Sequence, residues 1–115
     1  MIGKEILRIA ADALAEKKCS DLKVIDISGV SVIADYFMIV SGHNANQIRA
    51  MADNVDEKLN KAGIHPKQIE GYTSASWILM DYGDIIIHIF NEEQRLYYDI
   101  ERIWSDGKFL SQDSY

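Results

Sequence analysis

The chain has 115 residues, 48% of them hydrophobic and 26% charged, which is the length and make-up of one ordinary globular domain. Twelve Lys and Arg stand against 18 Asp and Glu, a net charge of −6, and this makes the chain a poor candidate for gripping DNA, because affinity for a phosphate backbone comes from basic groups; a basic protein is the better-matched partner. The lone cysteine, Cys19, excludes an intrachain disulfide and a cysteine-based zinc site.

The opening residues, Met1-Ile2-Gly3-Lys4-Glu5, carry neither the apolar core nor the small-residue cleavage site of a secretory leader. No apolar run reaches the roughly 20 residues that span a bilayer, so a cytoplasmic protein without a membrane partner is expected. Residues 3–18 are predicted helical, with Ile6, Ile9, Ala10, Ala13 and Leu14 at helical spacing. A short β-branched strand follows over 22–27. Residues 35–41, nearly all apolar, predict a strand buried on both faces. Asn44, with Gln47 three positions on, opens a helix that buries Ile48, Met51, Ala52, Val55 and Leu59 and ends at Lys61-Ala62-Gly63. Residues 66–70 form a weak polar strand at a sheet edge, since the only proline starts it.

Residues 77–82 and 85–90 give the strongest hairpin signal, joined by Gly83-Asp84, where a leading glycine tolerates positive φ. Asn91 then opens a helix running through Trp104, with Leu96, Tyr97, Ile100, Ile103 and Trp104 on its apolar side. The tail at 111–115 is polar and expected to fray. The order is α-β-β-α-β-β-β-α, an α/β single-domain sandwich over residues 1–110 with a mixed sheet.

Alternation of side chains sorts the hairpin into two faces. Ile78, Met80, Tyr82, Ile85, Ile87 and Ile89 form a core face. Trp77, Leu79, Asp81, Ile86, His88 and Phe90 form the other, where two large aromatics sit beside a carboxylate and an imidazole. A solvated face should be more polar, and a core should not hold Asp81 and His88 unpaired. Two readings stay open: a protein partner covers this face, as aromatic-plus-polar mixtures at interface centres do, or a helix of the chain covers it, with Asp81 at the turn and His88 hydrogen-bonded inside.

Catalytic patterns are weak. Asp35, Asp81 and Asp84 with the Ser41-Gly42 turn could suggest a metal-dependent nucleotidyl transferase, but the helix entrance offers no Lys or Arg before Arg49 to hold phosphate. His43, His65 and His88 have no metal-ligand spacing, and Cys19 reads as a small buried or capping residue rather than a nucleophile. Neither a cofactor nor a metal is implied. Arg95, Arg102 and Lys108 could make a limited RNA contact.

Three groups of residues carry a family resemblance: Ile25-Asp26-Ile27-Ser28-Gly29-Val30-Ser31, then Ala34-Asp35-Tyr36-Phe37 and Ser41-Gly42, then a longer second half. That half comprises Glu70-Gly71, Trp77, Leu79, Asp81-Tyr82-Gly83-Asp84, His88, Phe90, Arg95, Tyr98, Glu101 and Trp104. In this order and spacing, over about residues 5–106, the chain resembles the ribosomal silencing factor (RsfS, Iojap) family. The resemblance implies a nucleotidyltransferase-like fold without catalysis. It implies binding to large-subunit ribosomal protein fourteen, so that the subunits cannot join and translation is repressed when nutrients are short. Organelle relatives of this kind act in large-subunit assembly. Carried over by position, Trp77, Leu79, Asp81, Tyr82 and His88 are the partner-binding set, to which parity adds Ile86 and Phe90 and from which it places Tyr82 on the opposite side. The chain departs from the pattern at Asn44 and Asn46, where relatives carry Ser and Arg. The alternatives are a nucleotide-binding or nucleotidyl transferase domain, and a scaffold that closes a homodimer through the Trp77 face when free.

Overall fold

The computed structural model describes residues 3–115; Met1 and Ile2, the first two residues of the stretch read as leaderless, lie outside the described residues. Helix α1 spans Gly3–Glu16 and buries Leu7, Ala10, Ala11, Ala13 and Leu14. Ile6 and Ile9 are only half-buried, so the apolar stripe is rotated slightly from the one expected. The helix stops two residues early because Lys18 takes a left-handed φ of 60°. Strand β1 (Ser20–Asp26) follows, then β2 (Tyr36–Gly42), whose side chains from Phe37 onward are all buried, as an apolar run predicts.

Helix α2 (Ala45–Lys61) is capped as expected, with the Gln47 N–H donating to Asn44 Oδ1 at 2.8 Å. The Gln47 side chain reaches back one residue further than a capping box would, accepting from the His43 N–H at 2.6 Å. Ile48, Met51, Ala52, Val55 and Leu59 are all buried. A buried amide, Asn54, ties α2 to α1 by donating to the Ala13 carbonyl at 2.8 Å, so its polarity is satisfied inside the core.

Strands β3 (Gln68–Glu70), β4 (Trp77–Asp81) and β5 (Ile85–Asn91) complete the central sheet. Its order is β3-β4-β5-β2-β1-β6, with β6 formed by Lys108–Leu110. The β2–β5 pair is parallel and the others antiparallel, so the sheet is mixed. The expected edge strand is at the edge, though Pro66 lies just outside it. Strand β6 is an addition to the expected order: three residues carry no readable alternation, and only pairing with Val24–Asp26 of β1 makes them a strand.

One sheet face is sealed by α1 and α2 over an aliphatic core that includes Met38, Val40, Ile78, Met80, Ile87 and Ile89. The opposite face carries a smaller cluster, Ile25, Ile27, Phe37, Ile39, Ile86 and Phe90. It is roofed by α3 (Glu92–Tyr98) and α4 (Ile100–Ile103), which sequence periodicity merges into one helix. They are two because Asp99 adopts a left-handed φ of 49°. This break changes the phase of the apolar side: Ile100 and Trp104 turn onto the sheet, while Leu96, Tyr97 and Ile103 are 82%, 78% and 67% exposed.

Residues Gln112–Ser114 form a short 3₁₀ turn. The Arg8 guanidinium donates to the carbonyls of Gln112 (2.6 Å) and Tyr115 (3.0 Å from Nε) and lies over the Tyr115 ring. A cation–π contact and two carbonyl caps hold the polar tail against α1.

Candidate partner-binding surface

The hairpin has the predicted register: Trp77 faces Phe90, Leu79 faces His88, Met80 faces Ile87 and Asp81 faces Ile86. The Tyr82 N–H donates to the Ile85 carbonyl at 2.9 Å, and Gly83 takes φ +87° in the turn. Asp81 Oδ1 accepts from the Gly83 N–H at 2.8 Å, so this carboxylate closes the turn as well as facing outward.

The second sheet face is divided. Phe90 is fully buried, and His88 and Ile86 are 5% and 8% exposed, so these three do not form the outer surface that parity assigned them. Strand β5 is central in the sheet, and α4 with Trp104 covers its side chains. Strand β4, one place from the edge, keeps Trp77, Leu79 and Asp81 half-exposed. The helix cover and the open surface are both real, on different strands.

His88 has a definite task under Trp77. Its Nδ1 accepts the Trp77 indole N–H at 3.1 Å, which requires the neutral tautomer protonated at Nε2. Nε2 itself has no hydrogen-bond partner among the described residues; the ring meets Phe37 edge-on at 4.8 Å between centroids. Burial pushes the imidazole pKa down to about 4, so near neutral pH it stays an acceptor for the indole. Trp77 also lies 4.8 Å from the Phe90 ring and 4.7 Å from Tyr98. An aromatic held on two sides with its polar atom satisfied offers a rigid apolar edge to a partner.

The approach to Trp77 is shaped by the loop before it. Gly71 has φ +80°, and a Cβ there would stand 2.1 Å from the Trp77 carbonyl oxygen, so glycine alone lets the loop lie against the strand. Arg49 on α2 donates to the Tyr72 and Thr73 carbonyls at 3.1 and 2.5 Å, and the Tyr72 hydroxyl donates to Asp53 at 3.0 Å. Beside Trp77, β3 places Glu70 directly opposite Leu79. Glu70, Gly71, Trp77 and Leu79 line a pocket of about 280 Å³. Parity within the hairpin does not reach Glu70; the sequence marked it only as part of a weak edge strand and of the family resemblance, and the β3–β4 register brings it beside Leu79.

Tyr82 belongs to the other side. It packs against the helix-covered core, and its hydroxyl is buried without a hydrogen-bond partner among the described residues. Burial raises its pKa well above the ordinary tyrosine range.

Arg95, expected as a surface cation for RNA, is 7% exposed. It donates to Glu101 at 2.8 Å, to the Asp21 carbonyl at 2.6 Å and to Ser41 Oγ at 2.9 Å, so it anchors α3 to the sheet. Arg102 pairs with Asp99 at 3.3 Å. A pocket of about 430 Å³ opens beside Ser41 and Arg95, at the strand–turn–helix considered for phosphate, but Asp21, Glu92, Asp99 and Glu101 line it. That charge opposes a polyphosphate. The three carboxylates considered for metal do not combine: among the described residues no group of three or more His, Cys, Asp or Glu is placed to hold an ion. Burial raises the Cys19 thiol pKa, which works against a nucleophilic role. Among the described residues no helix is long and apolar enough to cross a membrane.

A family model described as "Ribosomal silencing factor during starvation" matches residues 3–114. The ribosomal silencing factor of Bacillus subtilis is 37% identical over 113 residues, 98% of this chain and 96% of that protein. The one from Halalkalibacterium halodurans is 36% identical, over 93% of this chain and 92% of that protein. A solved Chromobacterium violaceum protein superposes with a TM-score of 0.89 at 33% identity, covering 91% of this chain and 88% of its own. With its six-stranded mixed sheet and near full-length matches, the chain belongs to the ribosomal silencing factor (RsfS) family.

Proposed function

We propose that this member of the family acts without catalysis, in the cytoplasm, by binding ribosomal protein fourteen on the large subunit. Bound there, it occupies the surface that the small subunit must approach and represses translation when nutrients are short. The observation that carries this reading is the rigid, half-exposed strip of Trp77 and Leu79, braced beneath by His88 and Phe90. Preorganised aromatic anchors lose little freedom on binding, and hot spots are built from them. The net charge of −6 favours encounter with a basic ribosomal protein. Asp81 adds negative charge at the rim, and rRNA contact stays limited.

The strip can also close a homodimer in the free chain. The exposed Val32, Ile33 and Ile103 give self-association further apolar surface to cover.

Trp77→Ala is expected to weaken binding to purified large subunits by about 2 kcal/mol or more, the cost of truncating an aromatic hot spot. The same change should restore joining of the two subunits in a light-scattering assay. A folded Trp77→Ala variant that cosediments with large subunits as well as the parent would remove the hairpin from the interface.

A further inference from the structure

We infer that the pocket between Glu70, Gly71, Trp77 and Leu79 receives one cationic side chain, arginine or lysine, from the partner. The inference rests on the reading of the β4 strip as the partner-binding surface. The pocket, about 280 Å³, has an apolar wall of Trp77 and Leu79 and a single charge, the Glu70 carboxylate opposite Leu79 in the β3–β4 ladder. Directly opposed residues in an antiparallel pair share a face, and residues 77 and 79 alternate onto that same face. The carboxylate therefore stands beside the strip, not behind it.

Glu70 makes no ion pair among the described residues. No basic residue lines the pocket, and the one imidazole under it, His88, is held neutral by its burial and by accepting the Trp77 indole N–H. A partner that covered this pocket with an apolar side chain would strip water from an unpaired carboxylate, which is unfavourable. A long cationic side chain avoids that cost. Its methylenes lie along Trp77 and Leu79, and its charge meets Glu70. The indole N–H is already used by His88, so the ring offers apolar contact rather than a hydrogen bond. Gly71 forms part of the lining because only glycine lets the loop lie this close to the Trp77 carbonyl.

Glu70 lies on an exposed three-residue edge strand, so Glu70→Gln keeps the fold, and circular dichroism checks this. Binding of the full chain to purified large subunits is measured over a salt series for the parent, Glu70→Gln, Glu70→Lys and Trp77→Ala. Glu70→Gln should weaken binding roughly three- to tenfold at low salt and flatten its salt dependence, as loss of one partly screened charge pair does. Glu70→Lys should weaken it further. If Glu70→Gln matches the parent in affinity and salt dependence while Trp77→Ala still loses binding, the pocket takes no cation and the inference falls, leaving the hairpin interface in place. If Trp77→Ala also binds like the parent, the interface reading falls with it.

Discussion

The two faces of the sheet are built on different terms. The face under α1 and α2 is closed by two long helices over aliphatic side chains, and Ile78, Met80, Ile87 and Ile89 are fully buried there. The other face is aromatic, smaller and roofed by a helix broken at Asp99. Because α3 and α4 cover only the middle strands, β4 keeps an open strip near the sheet edge. The lesson is that one hairpin can bury one side of its strands completely and leave part of the other open, since successive side chains point to opposite sides. Stability is drawn from the helix-covered face, and the proposed recognition surface is the part of the second face that the broken helix leaves open.

That division can be tested, and the largest effect should come from the closed face. Ile87→Ala empties a site with no exposure, and such truncations cost about 2–5 kcal/mol of stability with a cavity left behind. Urea unfolding measures it. A loss below about 1 kcal/mol would mean that this face is packed more loosely than its burial indicates.

Next in size is the acid response of His88. Its pKa is about 4 when folded, against 6.5 for an ordinary histidine. Between those values the unfolded chain binds a proton that the folded chain does not, so stability falls as the pH drops from about 6.5 towards 4 and levels off below that. The contribution amounts to about 3 kcal/mol. His88→Asn, which retains an acceptor near the Nδ1 position but cannot titrate, should show a flatter stability profile than the parent across this window. Equal acid losses in both proteins would show that the imidazole is not the titrating group.

Trp77→Ala is expected to act mainly on binding, by about 2 kcal/mol, since its ring is half-exposed. Measuring unfolding and large-subunit affinity in the same preparations sharpens the contrast with Ile87→Ala, whose effect should run the other way round. Smallest should be Tyr82→Phe. Removing a buried hydroxyl that has no partner is expected to leave stability unchanged or raise it by up to about 1 kcal/mol, with no change in binding. A clear loss of affinity in that variant would return Tyr82 to the interface.

Much of the hairpin and of the helix starts is legible in the sequence. Alternation yields the hairpin pairs, from Trp77 opposite Phe90 to Tyr82 opposite Ile85, because a two-residue glycine turn leaves little freedom in register. The capping side chains of Asn44 and Asn91 mark two helix starts, each accepting from the N–H three residues on. The run that follows the Asn91 cap reads as one helix because periodicity is blind to a single left-handed residue. Asp99 interrupts the helix without any change in composition.

Which side chains remain at the surface was beyond the sequence. Local chemistry determined the elements, the two hairpin faces and the neighbourhood of Trp77 and His88, since period and turn residues act over a few positions. Only the tertiary structure decided that β5 is central and β4 close to the edge. It also decided that Phe90, His88 and Ile86 form a floor, and that Glu70 arrives beside Leu79 from another strand. Burial and cross-strand neighbours depend on contacts between segments far apart in the chain. No local pattern encodes those contacts, and so Trp77, His88 and Phe90 could be named from the sequence while the burial of the last two, and the place of Glu70 beside Leu79, could not.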